Sequence, residues 1–120
     1  MHALTIEALG ALLLGGVFVI AGIEHFVKFG AMRDYLASQN FPAPGLLLAA
    51  GSAIEIVAGL MLALGFALPF AAGALVVFTL ATNFTLLRFW AAAETERQVL
   101  RNAFLINFAV IGGLLLAGAT

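Results

Sequence analysis

Apolar residues run along this chain in four long stretches, each close to the ~20 residues that a helix needs to cross the hydrocarbon of a bilayer. They extend over about 5–27, 46–65, 69–90 and 99–118. Pro42 and Pro44 disfavour helix just before the second stretch. Gly65 suits a C-terminal cap and Pro69 a first helical turn. Only Phe66, Ala67 and Leu68 lie between them, which predicts a tight antiparallel hairpin of spans two and three. The connection 91–98 is short and polar, so spans three and four are also predicted as antiparallel neighbours. The connection 28–45 is longer. Within it Met32, Tyr35 and Leu36 share a helical face, whereas Arg33, Asp34 and Gln39 point elsewhere. That pattern fits a short amphipathic segment lying at the membrane surface, and an ordinary loop equally well.

Composition sharpens the fold class. The 120 residues are 64% hydrophobic and 9% charged, with mean hydropathy +1.17. A soluble domain carries about a quarter of its residues charged, and a small soluble core hides only part of its apolar surface. The expectation is an all-α membrane protein: one integral domain, a four-transmembrane-helix antiparallel bundle with a short interfacial segment between helices one and two. A net charge of −1 points away from nucleic acid. The lack of cysteine excludes disulfides and thiol chemistry carried by this chain. The first stretch has no Lys or Arg before it, carries Glu7 and shows no small-residue cleavage site, so it is expected to stay as a span.

Charge then sets an orientation. With four spans, Lys28, Arg33, Arg88, Arg97 and Arg101 all fall on one side. Lys and Arg mark the cytoplasmic face, and interfacial rings such as Tyr35 and Trp90 suit the same boundary. Both termini are therefore expected on the periplasmic side of a bacterial inner membrane.

Polar residues within the spans carry the candidate chemistry. They are Glu24 and His25; Ser52 and Glu55; Thr79, Thr82, Asn83, Thr85 and Arg88; and Asn107. At about 1.5 Å per residue, Glu55, Asn83 and Asn107 lie roughly 10–14 Å in from the basic end, with His25 shallower. Gly51, Glu55 and Gly59 recur every four residues, and Gly15, Phe18, Gly22 and His25 at spacings of three and four. Small-residue stripes of this kind let helices approach closely, so Glu55 and His25 are expected to face neighbours. His25 is the first choice of partner for Glu55 and Arg88 the second. An intramembrane ionisable group reads by default as functional, here binding a polar headgroup, a quinone carbonyl or a proton. The competing reading is an interhelical clamp. Glu24 is expected to pair with Lys28 one turn on, Arg88 to reach the headgroups, and Asn83 with Thr79 to act as helix–helix glue. Two histidines without a third ligand argue against a metal site, and no phosphate loop is present.

Several segments resemble the DoxX family. They are Gly22-Ile23-Glu24-His25-Phe26, the Phe41-Pro42-Ala43-Pro44 loop, the run Ile54-Glu55-Ile56-Val57-Ala58-Gly59-Leu60 with Gly65, and Asn107 with Gly112-Gly113-Leu114-Leu115. His25 stands where a Lys is more usual, and Ile106 where a Lys often precedes the Asn. The resemblance implies a small four-helix membrane protein, with some relatives that look like subunits of a thiosulfate:quinone oxidoreductase. The reading that follows is a membrane subunit or binding module serving redox metabolism, not a stand-alone catalyst. It would hold a quinone or lipid in a cluster of His25, Glu55, Asn83, Asn107 and Arg88, with no covalent cofactor and no metal. Its expected partners are membrane lipid, a cytoplasmic or membrane oxidoreductase, and a second copy of itself. The alternative is a membrane enzyme using Glu55 and His25 as acid and base on a lipid-soluble quinone or sulfur substrate.

Overall fold

The computed structural model describes residues 5–119, and His2 lies outside them. Every regular element among the described residues is helical: α1 (Ile6–Val27), α2 (Phe29–Ser38), α3 (Pro44–Leu64), α4 (Leu68–Thr85) and α5 (Glu94–Gly118), with one 3₁₀ turn at Phe89–Ala91. Four stretches are long and apolar enough to span a bilayer: Ile6–Val27, Pro44–Leu64, Leu68–Ala91 and Glu94–Gly118. Leu13, Ile20, Val57, Phe70 and Leu116 stand more than half exposed on their outer faces. In water such a surface is untenable; against acyl chains it is the expected finish. The protein is an integral, multi-pass membrane protein.

Local chemistry sets the ends of these helices. Thr5 Oγ1 accepts from the Ala8 N–H at 3.0 Å and caps α1. Gly65, at φ +73°, closes α3: its N–H reaches the Leu62 carbonyl and the Phe66 N–H reaches that of Met61. Asn40, at φ +65°, ends α2 in the same way through Ala37 and Leu36. Ala67 enters α4 with φ +49°, a region that disfavours any L side chain by about 1–2 kcal/mol. Ala67→Gly relieves that strain, and after glycine's extra chain entropy a gain of about 0.5–1 kcal/mol is expected. Thermal denaturation in detergent measures it; an unchanged or lower Tm would show that the turn is not strained.

Two boundaries differ from the sequence expectation. The α-helical part of span three stops at Thr85, not near Trp90. Thr82 and Thr85 hydroxyls bond back to the Phe78 and Ala81 carbonyls, a habit that loosens helices. Trp90 then packs edge-on to Phe89 and Phe104. Span four begins five residues early, at Glu94, because Glu94 and Glu96 favour the positive end of a helix dipole. The connection 28–45 contains a true helix, α2.

Contacts fix the topology. A side chain on Gly15 would run into the Gly59 carbonyl and the Ala63 backbone; one on Gly22 would come within 2.8 Å of the Ser52 carbonyl. Rising numbers in α1 thus meet falling numbers in α3, an antiparallel seam of small residues. Asn83 meets Phe104 and Asn107, while Ala72 meets Gly118, so α4 and α5 are antiparallel as well. The helices follow one another in the order α1, α3, α4, α5, and α1 touches α5 only lightly. The dry core, Phe18, Ala58, Leu62, Ala71, Leu75 and Leu114, fills the half of the bundle nearer the termini. The other half is not filled in this way.

Candidate functional site: a cavity in the basic half of the bundle

His25 projects from the last turn of α1. Gly22, one turn earlier, brings that helix against Ser52, Glu55 and Ile56, so the two ionisable side chains meet where the backbones are closest. His25 Nδ1 stands 2.8 Å from Glu55 Oε1. The Glu55 side chain is 5% exposed and that of His25 29%. The 2.8 Å separation is hydrogen-bonding distance, and a carboxylate oxygen has a second lone pair to offer the cavity.

A second polar pair lies across the bundle. Asn83, wholly buried, donates through Nδ2 to the Phe104 carbonyl at 3.1 Å. Its Oδ1 accepts from Asn107 Nδ2 at 2.8 Å. The backbone carbonyl has no hydrogen to give, which fixes the orientation of both amides.

Between these pairs is a cavity of about 630 Å³, within the range of small-molecule pockets. His25, Ser52, Glu55, Thr79 and Asn107 are on its wall, with Thr82 nearby; the remainder is largely apolar. Phe41 and the Met32, Tyr35 and Leu36 face of α2 help to line it. Ser52 and Thr79, 1% and 3% exposed, have hydroxyls without a hydrogen-bond partner. Buried polar groups are nearly always paired within a protein or by water, so two orphaned hydroxyls beside a carboxylate on one cavity wall invite an occupant.

Of the expected cluster, the structure joins His25 to Glu55 and Asn83 to Asn107. Both Glu55 and Asn107 face the cavity, while Asn83 stands behind Asn107 as its support. Arg88 does not join them. Because α4 ends at Thr85, Arg88 falls in the non-helical link and is exposed. The Glu24–Lys28 pair does not form either. Lys28 has left helical geometry (φ −102°, ψ 32°), which breaks the one-turn alignment. Gly51 packs on Phe78 of α4, not on α1. Ser52 and Thr79 stand out in the sequence as polar but fall outside the expected cluster. The available signal was spacing: Ser52 precedes Glu55 by three residues and Thr79 precedes Asn83 by four, which puts each on its partner's face. Among the described residues no three His, Cys, Asp or Glu side chains gather to hold a metal.

The family model described as DoxX matches residues 8–88 of this chain. The match includes Glu55 and His25 and stops before α5, so the sequence likeness around Asn107 lies beyond it. Neither the curated proteins nor the solved structures contain a match.

Proposed function

This chain belongs to the DoxX family, and from that premise we propose that it is a membrane-embedded binding module that holds a quinone or lipid and serves a redox enzyme as a subunit. The cavity carries this reading: about 630 Å³ of largely apolar space with a few polar groups on its wall. An apolar tail fits the one and a polar head the other. Lys28, Arg33, Arg97 and Arg101 project near the same end of the bundle and supply a docking face for an oxidoreductase partner. By the positive-inside rule that end is cytoplasmic, with both termini periplasmic in a bacterial inner membrane.

Titration of protein in nanodiscs with a short-tailed benzoquinone, or with a short-chain phospholipid, tests the binding. Ala21 faces the cavity, and Ala21→Phe would fill part of it. Saturable binding is expected for the unaltered protein, with at least a tenfold loss in the variant, about 1.4 kcal/mol. No saturable binding of either ligand would remove the proposal.

A second reading rests on the 2.8 Å pair at the cavity wall. Glu55 and His25 are placed to exchange a proton with a bound head, as an acid–base enzyme requires. Purified protein that turns over a quinone or sulfur substrate, and stops doing so as Glu55→Gln, would favour it. Turnover unaffected by that substitution would exclude Glu55 from the chemistry.

A further inference from the structure

The polar wall of the cavity has a direction. Asn83 is locked by the Phe104 carbonyl and turns its own oxygen to Asn107. Asn107 therefore gives one amide hydrogen to Asn83 and keeps Oδ1 and its second amide hydrogen for the cavity. Glu55 Oε1 also retains acceptor capacity. The Ser52 and Thr79 hydroxyls are orphaned and swing to either role. The wall thus offers acceptors, Asn107 Oδ1 and Glu55 Oε1, beside donors, the second Asn107 amide hydrogen and the two hydroxyls. A carbonyl head answers those donors and leaves the acceptors unmet, and a buried acceptor without a donor is costly. A hydroxyl both donates and accepts.

Charge narrows the choice further. Glu55 has His25 beside it, and among the described residues no Lys or Arg lines the cavity. A neutral head is matched better than an anionic one.

We infer that the cavity selects a ligand whose neutral head carries hydroxyl donors, received by Asn107 and Glu55 with Ser52 and Thr79, over the same head bearing bare carbonyls. This deepens the binding proposal above and rests on it. Two sources supply such a head on an apolar tail: a dihydroxyaromatic, which is the reduced form of a quinone, and the free glycerol end of an acylglycerol. The Asn83–Asn107 arrangement has a role of its own here, since it holds an acceptor toward the ligand instead of merely joining two helices.

Anaerobic calorimetry on the full chain in nanodiscs tests this with two matched pairs of probes. One is a decyl-tailed benzoquinone and its hydroquinone; the other is a decyl glycerol ether and its O-methylated form. The hydroxyl member of at least one pair is expected to bind about tenfold more tightly, and the pair with the larger ratio identifies the source. Asn107→Leu should bring that ratio close to one. Thr79→Val, which keeps the shape of the side chain, should lower affinity for the hydroxyl form several-fold and so covers the case in which Asn107→Leu fails to fold. Equal or tighter binding of the carbonyl and methylated forms overturns the donor preference while leaving the binding proposal standing. Absence of binding by all four probes overturns both.

Discussion

Leucine at Gly15 is expected to unseat α1 from α3 and leave little folded protein. The added side chain would occupy the position of the Gly59 carbonyl and the Ala63 backbone, and a backbone in the way does not move aside as a flexible side chain does. Overpacking a tight contact costs about 1–3 kcal/mol for small additions, so Gly15→Ala should already lower the Tm measurably. The larger residue should consume most of the ~5–15 kcal/mol margin of a typical domain, enough to deplete the folded form during extraction. Gly16 is the control. Nothing lies within 4 Å of a Cβ built there, so Gly16→Leu should behave as the unaltered protein. Size-exclusion profiles after mild detergent extraction compare the two. A monodisperse Gly15→Leu protein with unchanged Tm would mean that the α1–α3 seam is not as close as described. The same seam sets the site, because Gly22 sits on it one turn before His25.

The second large effect is expected from His25→Leu. It leaves Glu55, 4% exposed, without the imidazole that stands 2.8 Å from it. Breaking a buried pair by removing one member typically costs about 3–5 kcal/mol. The partial exposure of His25 places this case toward the low end, since some solvent or headgroup screening is already present. The double variant His25→Leu, Glu55→Leu should recover most of the loss, because a leucine pair leaves no charge to bury. Tm values for the two single variants and the double variant form the cycle. If the double variant is no more stable than His25→Leu alone, the pair does not interact in the way its 2.8 Å separation indicates.

Much of this architecture is legible in sequence because lipid imposes a strong rule. Every backbone polar group must be satisfied within its own segment, so four apolar stretches become four helices, and Gly65 and Pro69 mark the hairpin between two of them. The depth argument that puts Glu55, Asn83 and Asn107 in one layer, with His25 shallower, needs only a helical rise and alternating direction. Arg88 departs from the expected cluster for a local reason. Its helix was extended by hydropathy through 90, whereas Thr82 and Thr85 draw hydrogen bonds back to Phe78 and Ala81 and the chain leaves α-helical geometry at Leu86. The cavity itself was not legible. A void depends on where helices diverge, and the light contact between α1 and α5 beside the dense α1–α3 seam is a property of the assembled bundle. Ser52 and Thr79 were visible as polar residues, but only the packed helices show that their hydroxyls find no partner.

Mass spectrometry of the protein released gently from its own membrane tests the central claim, that the cavity walled by His25, Glu55 and Asn107 holds a lipid-soluble molecule. The unaltered protein should carry a bound small molecule at a fixed stoichiometry, and Ala21→Phe, extracted in the same way and equally folded, should have lost it. A protein that emerges empty, or a molecule retained undiminished when the cavity is filled, would contradict the claim.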